Sequence, residues 1–557
     1  MNPTHPPSSS PDPRAAVPLA LLLVAGVLIL ALHPAAQAQI QTDGAQYFHQ
    51  DSAFVPDTAE QNDFWGSSLV AGDFNGDGFA DLAIGASDED IFFNSDDAGQ
   101  VTVIYGTEDG LDPAFGAEVW SRGQGLLTGS LGTDDHFGFS LASGDFNNDM
   151  ISDLAISVHR SDVVWDSIET SRSGAVFVLY GSGTGLTSLG HQYLHKGTLG
   201  IPGGPVLDDS LGFTLSSGDF DGDGIEDLAM GILGHDGAQN DIGGVTLAFG
   251  SNDGLVASKQ EGEGGRVWTL SDLGYSVSGN ESWSSALAAG DFDADGRCDL
   301  AAYSPALDSP QALVGAGTVY VVRGSENGLT ATGSHFFHQD VPGVSTPAEA
   351  LDHFGDALAA GDLNGDGIDD LAIGVRDEDL VGDGGATVAH GLVQLLYGSP
   401  GLGLSAEGAP IPLTRQILGG GTPGDDDRFG QALSILPSSE EGGASRLVVG
   451  APGQTVDGFA FAGTVYVVES LLMPASIFTQ NSGETDGESW VFDWFGSALA
   501  GGDFNGDGAT DLAIGAPSKN IQGMNDAGAV SVFYGTPVLF SDRFEAGDLQ
   551  AWSSVSP

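Results

Sequence analysis

Six short stretches of this chain gather oxygen-bearing side chains at a spacing suited to a hard cation. The first reads Asp73-Phe74-Asn75-Gly76-Asp77-Gly78-Phe79-Ala80-Asp81. Side-chain oxygens at positions 1, 3, 5 and 9, a backbone carbonyl at position 7 (Phe79) and a glycine at position 6 for the sharp turn make the oxygen shell that Ca2+ takes in looped sites. The pattern recurs as Asp145, Asn147, Asp149 and Asp153 with the carbonyl of Ile151, and as Asp219, Asp221, Asp223 and Asp227 with that of Ile225. It returns as Asp291, Asp293, Asp295 and Asp299 with Arg297, as Asp362, Asn364, Asp366 and Asp370 with Ile368, and as Asp503, Asn505, Asp507 and Asp511 with Ala509. Polar turns also favour Asp, Asn and Gly. Yet two carboxylates about 4 Å apart repel by roughly 4 kcal/mol at an effective dielectric near 20, and each loop collects three or four. A turn needs no such cluster, so the expectation is up to six Ca2+ ions, one per loop. Mg2+ is disfavoured because it demands a small octahedral shell that retains water. The second loop has Met150 at position 6, a less permissive residue for a strained turn, which makes its site the weaker.

The loops belong to a repeat. Its fullest copies are FWGSSLVAGDFNGDGFADLAIGA from Phe64, HFGDALAAGDLNGDGIDDLAIGV from His353 and WFGSALAGGDFNGDGATDLAIGA from Trp494. With four weaker copies, the Gly of each Phe-Gly pair (Ser284 in the fourth) falls at 66, 138, 212, 284, 355, 430 and 496. Unit six lacks the loop: SILPSSEEGGASRLVV replaces it, with Arg446 where the last Asp would fall, so no metal is expected there. Each unit has an alternating run before the loop, an apolar run after it, a β-branched and aromatic run such as GQVTVIYG, and a fourth run typified by AEVWSRG or HFFHQD. This predicts an all-β chain of four-stranded antiparallel blades. The seventh unit has no fourth run after it, but AQYFHQD at 45–51 stands before unit one. Twenty-eight strands in seven blades result if that N-terminal strand closes the ring, which removes the exposed sheet edges.

Phe-Gly starts, Gly-Ala-Pro ends (Gly450-Ala451-Pro452, Gly515-Ala516-Pro517) and intervening DxNGDGxxD loops resemble FG-GAP repeats, the units of the integrin α-subunit propeller and of many exported bacterial proteins. The resemblance covers about residues 45–537 and implies calcium in the same loops. It speaks more strongly to fold than to function.

Composition agrees with export and cation binding. Of 77 acidic residues 58 are Asp, against 15 Lys and Arg, for a net charge of -62. Such a charge repels phosphate backbones and anionic headgroups, so nucleic acid and membrane-surface partners are not expected. Apolar residues make up 41%, which supports a core and argues against disorder. Residues 15–32 form an apolar run after Arg14, ending at Ala36-Gln37-Ala38, a small-x-small cleavage signature. Residues 1–38 therefore read as a removable signal peptide, 39–537 as the propeller and 538–557 as a C-terminal tail. No stable membrane span remains. The product would be secreted or associated with the cell envelope, and without disulfides, since Cys298 is alone.

A meander places the metal loops on one face of the disc and the loops between strands two and three on the other. Those loops vary most between units, so a protein or glycan ligand is expected on the face opposite the calcium loops. His136 and His353 recur before Phe-Gly and read as packing or hydrogen-bonding residues. His159, Arg160, Trp165 and His235 read as solvated loop residues, and Cys298 not as a nucleophile. No one-off catalytic constellation emerges. The expectation is a monomeric, non-catalytic binding or adhesion-type scaffold. The alternatives are a carbohydrate-active lyase or dehydratase built on the propeller, and a purely structural envelope protein.

Overall fold

In the computed structural model the apolar run that leaves each Asp loop is a strand buried on both faces, as in Asp81–Ala86, Asp153–Val158, Asp227–Ile232, Asp370–Val375 and Asp511–Ala516. Residues 39–537 are described, apart from 92–96, 124–126, 128–131, 237–240, 260–264, 277–280, 307–312, 345, 381–388, 408–409, 440–441, 470–473 and 484–487. The expected signal peptide and tail thus lie outside the described residues. In blade one, Ser68–Gly72, Asp81–Ala86, Gln100–Ile104 and Glu118–Trp120 are hydrogen-bonded in chain order. The second, third, fourth and sixth blades repeat this four-stranded order.

Closure follows the displaced strand. Gln46–Phe48 pairs antiparallel with Ala529–Phe533, Tyr47 opposite Ser531, and completes blade seven. The chain is a seven-bladed, all-β propeller. Blade five departs from the predicted count. It has three strands, Phe354–Gly361, Asp370–Val375 and Leu392–Leu396, and its expected fourth shrinks to two isolated bridges, Tyr397 with Ser405 and Val393 with Leu413. Pro410 and Pro412 stand just before Leu413, between the two bridges, and proline has no N–H to continue a ladder. The described blades therefore hold twenty-seven strands, not twenty-eight. A further hairpin, Val163–Trp165 with Ile168–Thr170, stands in what reads as a loop of unit two.

The Phe-Gly signature works at the blade boundaries. The residue before its glycine (Trp65, Phe137, Leu211, Trp283, Phe354, Phe429 or Phe495) is 0% exposed in every blade. The backbone of four of them bridges in parallel to a glycine leading the third strand of the preceding blade: Gly99 to Phe137, Gly174 to Leu211, Gly243 to Trp283 and Gly528 to Trp65. Each of these glycines has φ between 74° and 91°. The residue just before the buried one is also left-handed in all seven units, from φ 46° at Ser282 to 58° at His353, although none is glycine.

Candidate metal loops and the opposite face

Position 1 is the hub of each loop. Asp73 Oδ1 accepts from the N–H of Asp77 at 3.1 Å and Asp73 Oδ2 from that of Gly78 at 2.9 Å. Asn75 Oδ1 also accepts from Asp77, and Asp77 Oδ1 from Phe79. The second and last loops repeat all four bonds. Two left-handed residues shape the turn, at position 6 and also at position 4, where Gly76 has φ 70°, Asn148 60° and Ala294 57°. Met150 holds φ 68°, so the second loop keeps the turn with a strained residue whose side chain is 89% exposed. Met150→Gly is expected to stabilise the chain by about 1 kcal/mol, read as a higher urea midpoint.

Position 9 ties each loop to its blade. Asp81 is fully buried, with Oδ2 accepting from Phe74 N–H and Oδ1 from Gly106 N–H, both at 2.8 Å. Asp153, Asp227, Asp370 and Asp511 repeat both bonds. Burial pushes Asp81 and Asp153 up to about 8, and Asp227, Asp299, Asp370 and Asp511 up to about 7. A nearby cation reverses such a shift. In the first loop each oxygen of Asp73 and Asp81 keeps a lone pair beyond its single N–H bond, so the donor set, all oxygen and partly desolvated, fits a hard cation.

The loops are also linked between blades. The carbonyl of Asp73 accepts from Ser152 N–H at 2.9 Å, that of Asp219 from Cys298 at 2.8 Å, that of Asp362 from Ser445 at 2.7 Å and that of Asp503 from Ala80 at 2.9 Å. The last of these crosses the closing boundary. The two loops with Asp at position 3 bring three carboxylates within 4.8 Å of one another and also draw in basic side chains. Lys259 Nζ lies 2.6 Å from both Asp221 and Asp223, and Arg323 pairs with Asp293. These partners offset the charge that an Asn would have avoided, and nothing in the repeat pattern announces them. In blade six Arg446 is buried at the position-9 place, where its guanidinium donates to Thr510 O at 3.0 Å.

On the other face, His136 Nδ1 lies 2.7 Å from Asp88 and His353 Nδ1 2.8 Å from Asp377, the hydrogen-bonding roles expected of them. His159 is a correction: it is 6% exposed, packed against Phe139 and Phe213, with Nδ1 buried and unpartnered. His235 is half-buried beside Lys196, not a free loop residue. Burial pushes the Cys298 thiol up to about 12, so it carries no thiolate. Burial also lowers His159 to about 3. As pH falls below its unfolded value of 6.5, the unfolded chain takes up a proton that the folded chain refuses, so stability is lost on acidification. His159→Phe is expected to spare about 2 kcal/mol of the loss between about pH 6.5 and 5, measured by urea titration at each pH. The pocket on the propeller axis is lined by residues such as Ser68, Leu141, Thr214, Ser285, Gln431 and Leu499, without a titratable side chain.

The FG-GAP repeat model matches residues 65–104, 283–322, 354–390 and 495–533, in blades one, four, five and seven. The chain carries FG-GAP repeats. Its FG-GAP propeller is similar to integrin alpha-PS2 of Drosophila melanogaster, 28% identical over 45% of this chain and 16% of that protein. It is similar to integrin alpha-5 of Xenopus laevis, 26% identical over 49% of this chain and 24% of that one. It also resembles phosphatidylinositol-glycan-specific phospholipase D of Homo sapiens, 33% identical over 34% of this chain and 21% of that one. The matched segments span a quarter or less of each relative's length. The V. cholerae biofilm matrix protein Bap1 aligns over 89% of this chain and 91% of that chain at 11% identity with a TM-score of 0.25, too weak to inform the fold.

Proposed function

We propose that this FG-GAP propeller is an exported, calcium-stabilised scaffold that binds a protein or glycan on the face opposite its Asp loops and performs no catalysis. Calcium would be held by the side chains at loop positions 1, 3, 5 and 9 and the carbonyl at position 7 in every blade but the sixth, standing in for absent disulfides. The similarity to integrin α chains supports a binding role outside the cell or at its envelope.

One observation carries the binding role. At the boundary of blades six and seven, Phe461 stacks on Phe492 (5.1 Å, 11°) and Trp494 (5.3 Å, 23°), and Phe459 packs near Trp490 at 5.8 Å. Trp490 and Phe492 remain 53% and 52% exposed. Left-handed backbones at Phe461, Phe492 and Trp494 hold these rings in place. A rigid aromatic surface binds with little loss of side-chain entropy, and it suits sugar faces and apolar protein anchors alike. The axial pocket, by contrast, offers no group for proton transfer, so no observation favours the lyase or dehydratase reading. Screening the purified chain against glycan arrays and cell-surface proteins should yield a ligand whose affinity drops at least tenfold in Trp490→Ala/Phe492→Ala with no change in melting. A ligand indifferent to that pair would move the site elsewhere, and turnover of a glycan would sink the non-catalytic reading.

A further inference from the structure

Six of the seven blade boundaries bury an Asp three places before the Phe-Gly glycine. In four of them a basic side chain meets it. Arg122 Nη1 lies 2.9 Å from Asp135, Lys196 Nζ 2.9 Å from Asp209, Arg415 Nη1 2.7 Å from Asp427 and Lys519 Nζ 3.0 Å from Asp493. The first three bases stand two residues past a fourth strand or its remnant. Lys519 comes from the loop between strands two and three, eight residues after position 9 of its Asp loop.

The other two boundaries have no base at either place. Around Asp63 stand Gln50 and Glu89, and around Asp352 stand Gln339 and Glu378, all 5% exposed or less. Two carboxylates buried together without a counter-charge are costly. Accordingly, burial and neighbouring acids push Glu89 up to about 9 and Glu378 up to about 8.

A lysine present at one boundary is missing from the next. Between blades six and seven, Lys519 Nζ donates to Gln480 Oε1 at 3.1 Å and to Asp493 Oδ2 at 3.0 Å. Between blades seven and one, Gln50 takes the place of Gln480 and Asp63 that of Asp493, but Glu89 stands where the lysine was. Gln50 Nε2 donates to Glu89 Oε2 at 2.6 Å, while its Oε1, in a side chain 1% exposed, is buried without a partner. Oxygens of Glu60, Asp63 and Glu89 lie within 4.8 Å of one another. The boundary between blades four and five repeats the glutamine contact: Gln339 Nε2 donates to Glu378 Oε2 at 2.6 Å, and Gln339 Oε1 is buried and unpartnered.

We propose that these two boundaries each bind a hard divalent cation, in the place that a lysine or arginine nitrogen fills at the other four. The carboxylates of Asp63 and Glu89, with the Gln50 amide oxygen turned inward, would hold one ion, and Asp352, Glu378 and Gln339 the other. Neither site shares a residue with the Asp loops, so the inference stands whether or not those loops hold calcium. The first site would clamp the N-terminal strand, through Gln50, onto blade one at the seam where the ring closes.

The substitution that tests it is already present in the molecule. Glu89→Lys/Glu378→Lys recreates the Lys519 arrangement at both boundaries. By native mass spectrometry of the purified chain in Ca2+, the variant should carry two fewer ions than the parent while folding normally. An unchanged ion count overturns the proposal and leaves carboxylate pairs sharing a proton. If the lysines prevent folding, Glu89→Gln/Glu378→Gln serves instead: it should weaken two Ca2+ sites at least tenfold in equilibrium dialysis, and unaltered binding again overturns the inference.

Discussion

Removing divalent cations with a chelator is expected to lower the unfolding free energy of the chain by about 8 kcal/mol relative to about 1 mM Ca2+. An extracellular site with a dissociation constant of about 10⁻⁴ M contributes about 1.4 kcal/mol at that concentration, and six loops add to about 8 kcal/mol. The structure gives reasons for the loss to spread beyond the loops. Position-1 carbonyls such as those of Asp73 and Asp503 are bonded to the loop of a neighbouring blade, so a loop that opens without its ion loosens a boundary as well. Position-9 aspartates are buried where the second strand of each blade begins and need either a proton or a cation. Urea unfolding followed by tryptophan fluorescence, in Ca2+ and in chelator, checks this. Identical midpoints would leave the loops as polar turns.

Gly99→Ala is expected to cost about 4 kcal/mol, among the largest effects of any single methyl in the chain. Gly99 has φ 82°, and a Cβ there would stand 2.4 Å from both the backbone N and O of Phe137 in the next blade. Neither atom can move without breaking the bridge that seats the buried Phe137 ring. Gly190 has the same φ of 82° but nothing within 4 Å of an added methyl group, so Gly190→Ala carries the conformational penalty alone, about 1 kcal/mol. The difference between the two midpoints isolates the boundary contact. Equal costs would show that the close approach is unimportant.

Much of this is legible in the chain because a repeat states its rule seven times. Unit length, strand order, the six loops, the exception at Arg446 and the closing role of residues 45–51 all follow from aligning the chain with itself, since strand periodicity and turn chemistry are local properties. The fourth strand of blade five breaks the rule for a local reason as well, because Pro410 and Pro412 forbid the ladder that a typical run would form. What the alignment could not reveal depends on which units touch. Asp63 and Glu89 are 26 positions apart and Gln50 lies just past a strand that completes the far blade, yet the closed ring buries them together. Lys259 reaches the third loop from past the turn after the third strand of its blade, and Arg323 reaches the fourth from the end of its third strand, contacts that only the folded blade brings about. Local pattern thus set the blade and its oxygen loops, whereas closure decided which charges meet between blades, because burial and pairing are properties of neighbours in space.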